Sequence, residues 1–429
     1  MSTQNTRSAA VSLLIRVLDH RQTLDEALSQ DERFNALEGS DRGFARAIAS
    51  AAIRQLGQIH TVLARHVKGR PYPQLDSEVR HVLCVGAAQI CCLKTPLHAA
   101  VSETVDCARD FDGARRAGGL INAVLRKLGP DSLDDLQMPT ISVWPRKFQQ
   151  LLIDEIGAET AGRLATAQLE APPLDLTAKA ERNTWAEELG GEPLGPHSIR
   201  LSGGNVEEMQ GYDEGAWWVQ DVAATLPVAL LATAEKGRAL DMCAAPGGKT
   251  LQLAALGFDV TAIDRSAKRL RLVEQNLQRT RMKAECIAAD ATKWTNETPF
   301  DAVLVDAPCS SLGTLRRHPE SPWIKSPDDL ARFPDIQFRL LQHAASLTAD
   351  NGQLVYCVCT PLGRESLDIV SKFLAENPDW QRKPVAADEV PGFKKSITEH
   401  GDVLTLPPWE THNGGCDAFF MARLVKKSG

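Results

Sequence analysis

From Trp217 onward, short apolar runs alternate with helical ones, and this alternation restricts the fold more than any other feature of the 429 residues. RALDMC, FDVTAID, AECIAAD, FDAVLVDAPC and QLVYCVC are short and apolar, as strands buried on both faces must be. KTLQLAAL, SAKRLRLVEQNLQRT and DIQFRLLQHAASLTA lie between them and carry helical spacing. Strand–helix alternation at this interval predicts an α/β domain with a mostly parallel sheet over 214–429.

The front of the chain reads differently. From Thr6 to about Lys127 the periodicity is helical throughout, with Ala9, Leu13, Val17 and Leu18 near one face of the first helix. Ser40 or Asp41 is the expected N-cap of SDRGFARAIASAAIRQLGQIHTVLARHV, and Ser77 that of SEVRHVLCVGAAQICCL. Gly129-Pro130 closes the set, so 1–130 is expected to be an all-α domain. Residues 131–145, polar and carrying Pro139 and Pro145, read as a linker. A helix pair follows over 146–170, then a strand, a turn and a helix in APPLDLTAKAERNTWAEELGG. Residues 140–213 thus form a small α+β segment, and the chain is multidomain.

The apolar fraction of 43% suffices for sizeable cores, and the net charge of −7 does not mark the whole molecule as a nucleic-acid binder. The charge is unevenly spread: 1–130 holds 17 basic against 13 acidic residues, so the excess of acid lies behind it. A mildly basic front suits contact with a polyanion over part of the surface. The ten cysteines sit at irregular positions, mostly in apolar runs, and no CxxC pair exists, which argues against zinc ribbons and thioredoxin-type sites. No apolar run reaches the length of a membrane span and the N-terminus lacks a signal-type core. The expectation is a cytoplasmic protein with reduced thiols, no metal, and a monomeric state.

ALDMCAAPGGKTLQLAALG (239–257) is a strand, a turn of small residues and a helix. Gly247 and Gly248 let the backbone approach a ligand, and the helix points its free N–H groups at it. The pattern GxxxxGK[ST] of a phosphate-binding loop is not matched. The next strand ends in Asp264, placed to clamp a ribose diol, and the third in Asp290, placed to accept from an adenine amine. An adenosine moiety held this way fits a nicotinamide dinucleotide or S-adenosylmethionine equally well.

Two further strands deliver chemistry at their carboxyl ends: Asp306, Pro308 and Cys309 from the first, Cys359 from the second. Two thiols beside a cofactor turn suggest nucleophilic catalysis. Carbon 5 of cytosine is too electron-poor to be methylated directly. A thiolate adding to carbon 6 makes carbon 5 nucleophilic, an acid near ring nitrogen 3 supports the addition, and a base must later remove the carbon-5 proton. One Asp and two Cys meet these needs.

Residues 239–250, 301–320 and 352–360 resemble the Nop/Sun family of RNA cytosine-5 methyltransferases. TPLHAAVSETVDCAR and LINAVLRKLG are similar to the NusB-type helical domain at the front of the family's bacterial Sun-type members, which act on small-subunit (16S) ribosomal RNA. WWVQDVAATLPVALL (217–231) and GGCDAFFMARLVKK (414–427) are similar to the family's segment before the cofactor motif and to its last strand. The resemblance implies a Rossmann-like methyltransferase domain with S-adenosylmethionine as cofactor and RNA as partner. It implies that Cys243, Ala244, Ala245, Pro246, Gly247, Gly248 and Lys249 hold the cofactor's methionine part, that Asp264 binds the ribose and Asp290 the adenine region, and that Arg269 joins the cofactor set. It places Lys249 and Asp306 at the cytosine, makes Cys359 the nucleophile and gives Cys309 product release. Arg316, Arg317 and His318 are candidates for backbone phosphate, against a reading as a solvated loop. Arg42, Arg46 and Arg54 are expected on a solvated helix face.

The chain departs from the family at three places. Val358-Cys359-Thr360 stands for Thr-Cys-Ser, PLGRES for a Pro-Glu-Glu segment, and LDLTAK for a segment bearing an Arg-Asn pair. These departures keep a second reading open, an RNA-binding assembly factor with weakened catalysis. A methyltransferase for a small molecule or protein is a third, opposed by both cysteines and by the helical domain.

Overall fold

In the computed structural model, which describes residues 5–232, 234, 236–407 and 415–427, the chain divides into two units. The first comprises Met1–Glu170 and Leu315–Asp329, the second Ala171–Thr314 and Leu330–Gly429. These borders do not coincide with those drawn from sequence at 130, 140 and 213. Gly414 of the closing segment and residues 1–4 lie outside the described residues.

The first unit is helical: α1 (Thr6–Leu18), α2 (Leu24–Gln30), α3 (Glu32–Asn35), α4 (Gly39–Arg54), α5 (Leu56–His66), α6 (Ser77–Ala87), α7 (Leu97–Cys107), α8 (Gly118–Leu125), α9 (Arg146–Ile156) and α10 (Ala158–Leu169). α1 packs against α4 and α6. Ala9, Ala10, Leu13, Leu14 and Val17 of α1 meet Ile48, Ala49, Ala52 and Ile53 of α4 in one core, where the alanines let the helices approach closely. Two caps differ from expectation. α4 starts after Glu38 without a side-chain cap, with Gly39, its first residue, in a left-handed conformation, so Ser40 and Asp41 fall inside the first turn. α6 is capped by Asp76, whose carboxylate accepts from the Glu78 N–H at 3.0 Å, one residue ahead of Ser77.

Residues 131–145 are no slack linker. Val143 and Trp144 are buried, and the Trp144 indole donates to Gln168 Oε1 at 2.6 Å, tying the segment to α10. Arg54 is not on a solvated face either: its Nη1 donates to the carbonyls of Gln168, Glu170 and Arg316. Arg42 and Arg46 do remain exposed.

The second unit holds two sheets. The smaller, antiparallel, has the order β2 (Glu192–Leu194), β3 (Ser198–Leu201), β1 (Leu174–Ala178), β4 (Trp217–Val219). Leu176, Ile199 and Trp217 form its core with Ala186 of α11 (Arg182–Glu188). Asp175 and Arg200 lie directly opposite on β1 and β3 and form a buried two-pronged ion pair, Nε–Oδ1 at 2.7 Å and Nη2–Oδ2 at 2.8 Å.

The larger sheet is 8-stranded. Its strands are β5 (Arg238–Met242), β6 (Asp259–Asp264), β7 (Glu285–Ala288), β8 (Phe300–Asp306), β9 (Thr348–Val358), β10 (Trp380–Arg382), β11 (Val403–Thr405) and β12 (Phe419–Lys426). The order is β10-β12-β9-β8-β5-β6-β7, with β11 paired to β12. β9, β8, β5, β6 and β7 run parallel, and β12 returns antiparallel beside β9. Leu240, Met242, Val303, Leu304 and Val355 are fully buried, as continuous apolar runs require in a sheet covered on both faces. From β5 the chain winds outward to β6 and β7, then crosses back to β8 on the other side. The order therefore reverses between β5 and β8, where a crevice opens at the carboxyl ends of the strands.

Candidate active site

The turn after β5 lies at that reversal. Cys243 takes a left-handed backbone with φ 65, the Ala244 N–H bonds to the Ile263 carbonyl at 2.9 Å, and Gly247, with φ 106, opens α13 (Gly248–Ala255). A Cβ on Gly247 would stand 3.1 Å from Val273 Cγ1, and one on Gly248 3.2 Å from the Gln220 amide carbon. At Gly247 the left-handed backbone angle favours glycine, and at Gly248 a side chain would press on the Gln220 amide. Behind the turn, Gln220 is a fully engaged amide. Its oxygen accepts from the Trp218 indole at 2.8 Å, and its nitrogen donates to Gln252 Oε1 at 2.8 Å and the Ala224 carbonyl at 3.1 Å. It joins β4, α12 (Val222–Ala229) and α13, a role that sequence reading missed because a lone Gln carries no signature.

Asp264, at the end of β6, is buried and accepts from the N–H groups of Ala245 at 3.2 Å and Ser266 at 2.8 Å. Arg269 reaches over from α14 (Ala267–Arg279): its Nη2 donates to the Ala245 carbonyl at 2.6 Å, and its Nη1 lies 3.5 Å from Asp264 Oδ2. A carboxylate offers about four acceptor positions, so Asp264 retains capacity for a diol. Asp290 is exposed, and its Oδ1 accepts from the Thr292 side chain at 2.7 Å and N–H at 3.0 Å. The Thr292 hydroxyl and N–H hold its carboxyl below the usual range. Cradle, buried acid and exposed acid follow one another on β5, β6 and β7, in an arrangement that fits an adenosine-bearing cofactor.

On the other side of the reversal, β8 delivers Asp306 and β9 delivers Cys357 and Cys359. Lys249 Nζ contacts Asp306 Oδ2 at 2.8 Å and lies 4.9 Å from the Phe419 ring centre. Burial alone pulls the Lys249 ammonium down, but the charges of Asp306 and its neighbours outweigh it and hold the group protonated well above its ordinary range. The other oxygen of Asp306 accepts from the Cys357 thiol at 3.6 Å. Burial pushes that thiol far up, so Cys357 is a neutral donor. Sequence reading gave Cys357 no role of its own; it precedes Cys359 by two residues, a spacing that puts both on one strand face.

Cys309 and Cys359 stand Sγ to Sγ at 3.3 Å. The S–H of Cys309 bonded to Cys359 lowers the Cys359 thiol; burial and Asp306 act against this, and Ser311 and Lys249 act with it. The same bond raises Cys309, as do burial and the charge of Glu365. One proton is thus kept on Cys309, leaving Cys359 as the readier thiolate. Cys359 is partly exposed and Cys309 is 8% exposed, which fits the first to meet a substrate.

The loop 316–318 differs from expectation. Arg316 is 4% exposed and His318 turns to Glu320 at 3.4 Å, both inside the helical unit, while Arg317 stays exposed. Burial takes the Arg316 side chain out of phosphate reach, while His318 stays part-exposed beside Glu320. Among the described residues no group of three or more His, Cys, Asp or Glu is placed to hold a metal, and no helix is long and apolar enough to cross a membrane.

A family model described as 16S rRNA methyltransferase RsmB/F matches residues 228–425, and one described as NusB family matches residues 4–129. The chain is 34% identical to ribosomal RNA small subunit methyltransferase B of Xanthomonas campestris pv. campestris, over 99% of this chain and 97% of that protein. It is 31% identical to the protein of that name from Pseudomonas putida, over 98% of each. Among solved structures, PH0851 has a TM-score of 0.77 at 22% identity, with 99% of each chain covered. NSun6 from Pyrococcus horikoshii with SFG has a TM-score of 0.55 at 18% identity, covering 66% of this chain and 98% of that one.

Proposed function

Because the chain belongs to the 16S rRNA methyltransferase RsmB/F family, we propose that it methylates carbon 5 of a cytosine in small-subunit ribosomal RNA through a covalent bond from Cys359 to carbon 6. It is an S-adenosylmethionine-dependent methyltransferase with an N-terminal NusB domain. The cofactor supplies an electrophilic methyl group when bound; the cradle at 243–249, with Asp264, Arg269 and Asp290, is the set that would hold it.

The observation that carries the cytosine reading is the 3.3 Å thiol pair beside the Lys249–Asp306 ion pair. The Cys359 thiolate attacks carbon 6. Asp306, steadied by Lys249 on one oxygen and Cys357 on the other, meets the ring near nitrogen 3 and orients it, and the Lys249 ammonium beside it offsets the negative charge that the attack creates. Once Cys359 is bonded to carbon, the sulfur that kept the proton on Cys309 is no longer an anion. Cys309 can then release its proton to solvent and, once carbon 5 carries the methyl group, take the carbon-5 proton; the carbon 5–carbon 6 double bond re-forms and Cys359 leaves as a thiolate. The altered neighbour Thr360 keeps a hydroxyl, and it bonds Ser310 Oγ at 2.8 Å, which supports retained catalysis over a purely assembling role.

The helical domain over 1–130, with its excess of basic residues, meets the RNA. Such a substrate puts the work in the cytoplasm. Every group named comes from one chain, so a monomer suffices.

The test is methyl transfer from labelled S-adenosylmethionine to small-subunit RNA lacking the modification. Wild type should label a cytosine at carbon 5, Cys359→Ala should be inactive, and Cys309→Ala should accumulate an RNA-linked adduct. A wild-type protein that binds cofactor yet labels no RNA, free or in particles, would make the assembly-factor reading the correct one.

A further inference from the structure

The two thiols stand on separate pieces of chain: Cys309 on the turn after β8, Cys359 just past the end of β9. A contact of 3.3 Å between them needs those pieces held in register. Glu365 is fully buried in the turn that follows Cys359. Its Oε2 accepts from the Ser310 backbone N–H at 2.8 Å and from Gln337 Nε2 at 3.0 Å. The same Gln337 nitrogen donates to the Pro308 carbonyl at 2.9 Å. Both neighbours of Cys309 are thus fixed through one carboxylate. The carboxylate's own turn is anchored by the Tyr356 hydroxyl, which donates to the Glu365 carbonyl at 2.6 Å. The charge of Glu365 also faces Cys309 and helps keep the proton on that thiol. A buried carboxylate is costly to desolvate, and an apolar side chain would fill this place with less penalty. Its return is position.

We infer that Glu365, acting with Gln337, is a positioning residue that fixes the Cys309 turn against Cys359 so that Cys309 can complete product release. The inference rests on the two-thiol reading above. Glu365→Gln keeps length and shape but loses the charge and sets an NH2 group among donors. The kcat should fall ~10–100-fold with KM for RNA and for S-adenosylmethionine within about twofold, because a small misplacement of a reacting group acts on turnover rather than on binding. The RNA-linked adduct should rise severalfold above wild type, a readout that mere loss of folded protein cannot produce. Gln337→Met, which cuts the link to Pro308 while keeping an apolar body of similar size, should give the same split and carries the test if Glu365→Gln does not fold. Wild-type kcat and adduct level in either folded variant, with adduct present in a parallel Cys309→Ala sample, would overturn the inference and leave the two-thiol reading intact. Wild-type turnover by Cys359→Ala would sink that reading, and the inference with it.

Discussion

Asp241 is the residue whose chemistry most depends on its surroundings. It lies on β5 beneath the glycine turn 243–249, fully buried, with Thr250 donating to Oδ2 at 2.6 Å and Oδ1 without a hydrogen-bond partner among the described residues. Burial pushes its carboxyl up to about 7, against 3.8 for the unfolded chain. The Thr250 bond offsets part of this, and the charge of Asp306 adds to it. Below the unfolded value both states carry the proton. Between about 4 and 7 the folded state binds a proton that the unfolded state has released, so stability falls by about 1.4 kcal/mol per pH unit from this group and stops falling above about 7. Asn at this position still accepts from Thr250 but does not titrate. Asp241→Asn should therefore gain on wild type by a few kcal/mol between pH 5 and pH 8 in urea unfolding. Parallel pH curves for the two proteins would show that Asp241 is not a proton-holding group.

Elements carry the next set of consequences. Gly313 bonds its N–H to the Cys359 carbonyl at 3.0 Å and its carbonyl to the Ala418 N–H at 2.9 Å, stitching the Cys309 loop to β9 and to the entry of β12. A Cβ there would lie 2.0 Å from the Ala418 carbonyl oxygen and 2.9 Å from that of Cys359, and backbone atoms cannot step aside as side chains do. Gly313→Ala should cost ~1–3 kcal/mol by overpacking and lower turnover at least tenfold, since the strain falls on the segments bearing both thiols. Thermal unfolding and single-turnover methylation would check the two parts separately. In the small sheet, Asp175 also accepts from the Val222 N–H at 3.1 Å, the start of α12, so the Asp175–Arg200 pair ties that sheet to the cofactor domain. Arg200→Met strands a buried carboxylate and should cost about 3–5 kcal/mol; adding Asp175→Asn should restore part of that, because the amide still accepts from Val222. A double variant less stable than Arg200→Met would refute the pairing account.

These elements also show what was readable in the sequence. The strands of the large sheet and the glycine cradle could be placed because continuous apolar runs and a Gly-Gly turn are local signals. Cys309 and Cys359 could be paired because each ends such a run. Glu365, Gln220 and Asp175 could not be found this way. Each has at least one partner twenty-five or more residues away, and a buried polar residue looks in sequence like a solvated one. The same blindness put Arg54 on a solvated face and Trp144 in a linker, where long-range hydrogen bonds decide otherwise.

At the scale of the whole molecule, the division into units does not follow the chain. Leu315–Asp329 leaves the methyltransferase fold and belongs to the helical unit. There Trp323 lies edge-on to His60 at 5.4 Å, Glu320 accepts from the Leu24 N–H at 3.2 Å, and the Arg316 carbonyl accepts from Arg54 at 2.7 Å. Trp323 and Ile324 join the apolar core of that unit. A fragment 171–429 therefore keeps the turn 243–249 with Asp264 and Asp290 but loses every one of these partners. Its 315–329 segment has no core of its own to enter, and a segment without buried contacts opens locally at little free-energy cost. Trypsin should cut this fragment after Arg316, Arg317 or Lys325 well before it cuts elsewhere in the methyltransferase fold, whereas the full chain should resist at those bonds. Mass mapping of the first cleavage products in both proteins checks this. Equal resistance in the two would mean that the segment is held by the methyltransferase fold itself, and that the helical unit can be removed without loosening the loop next to Cys309.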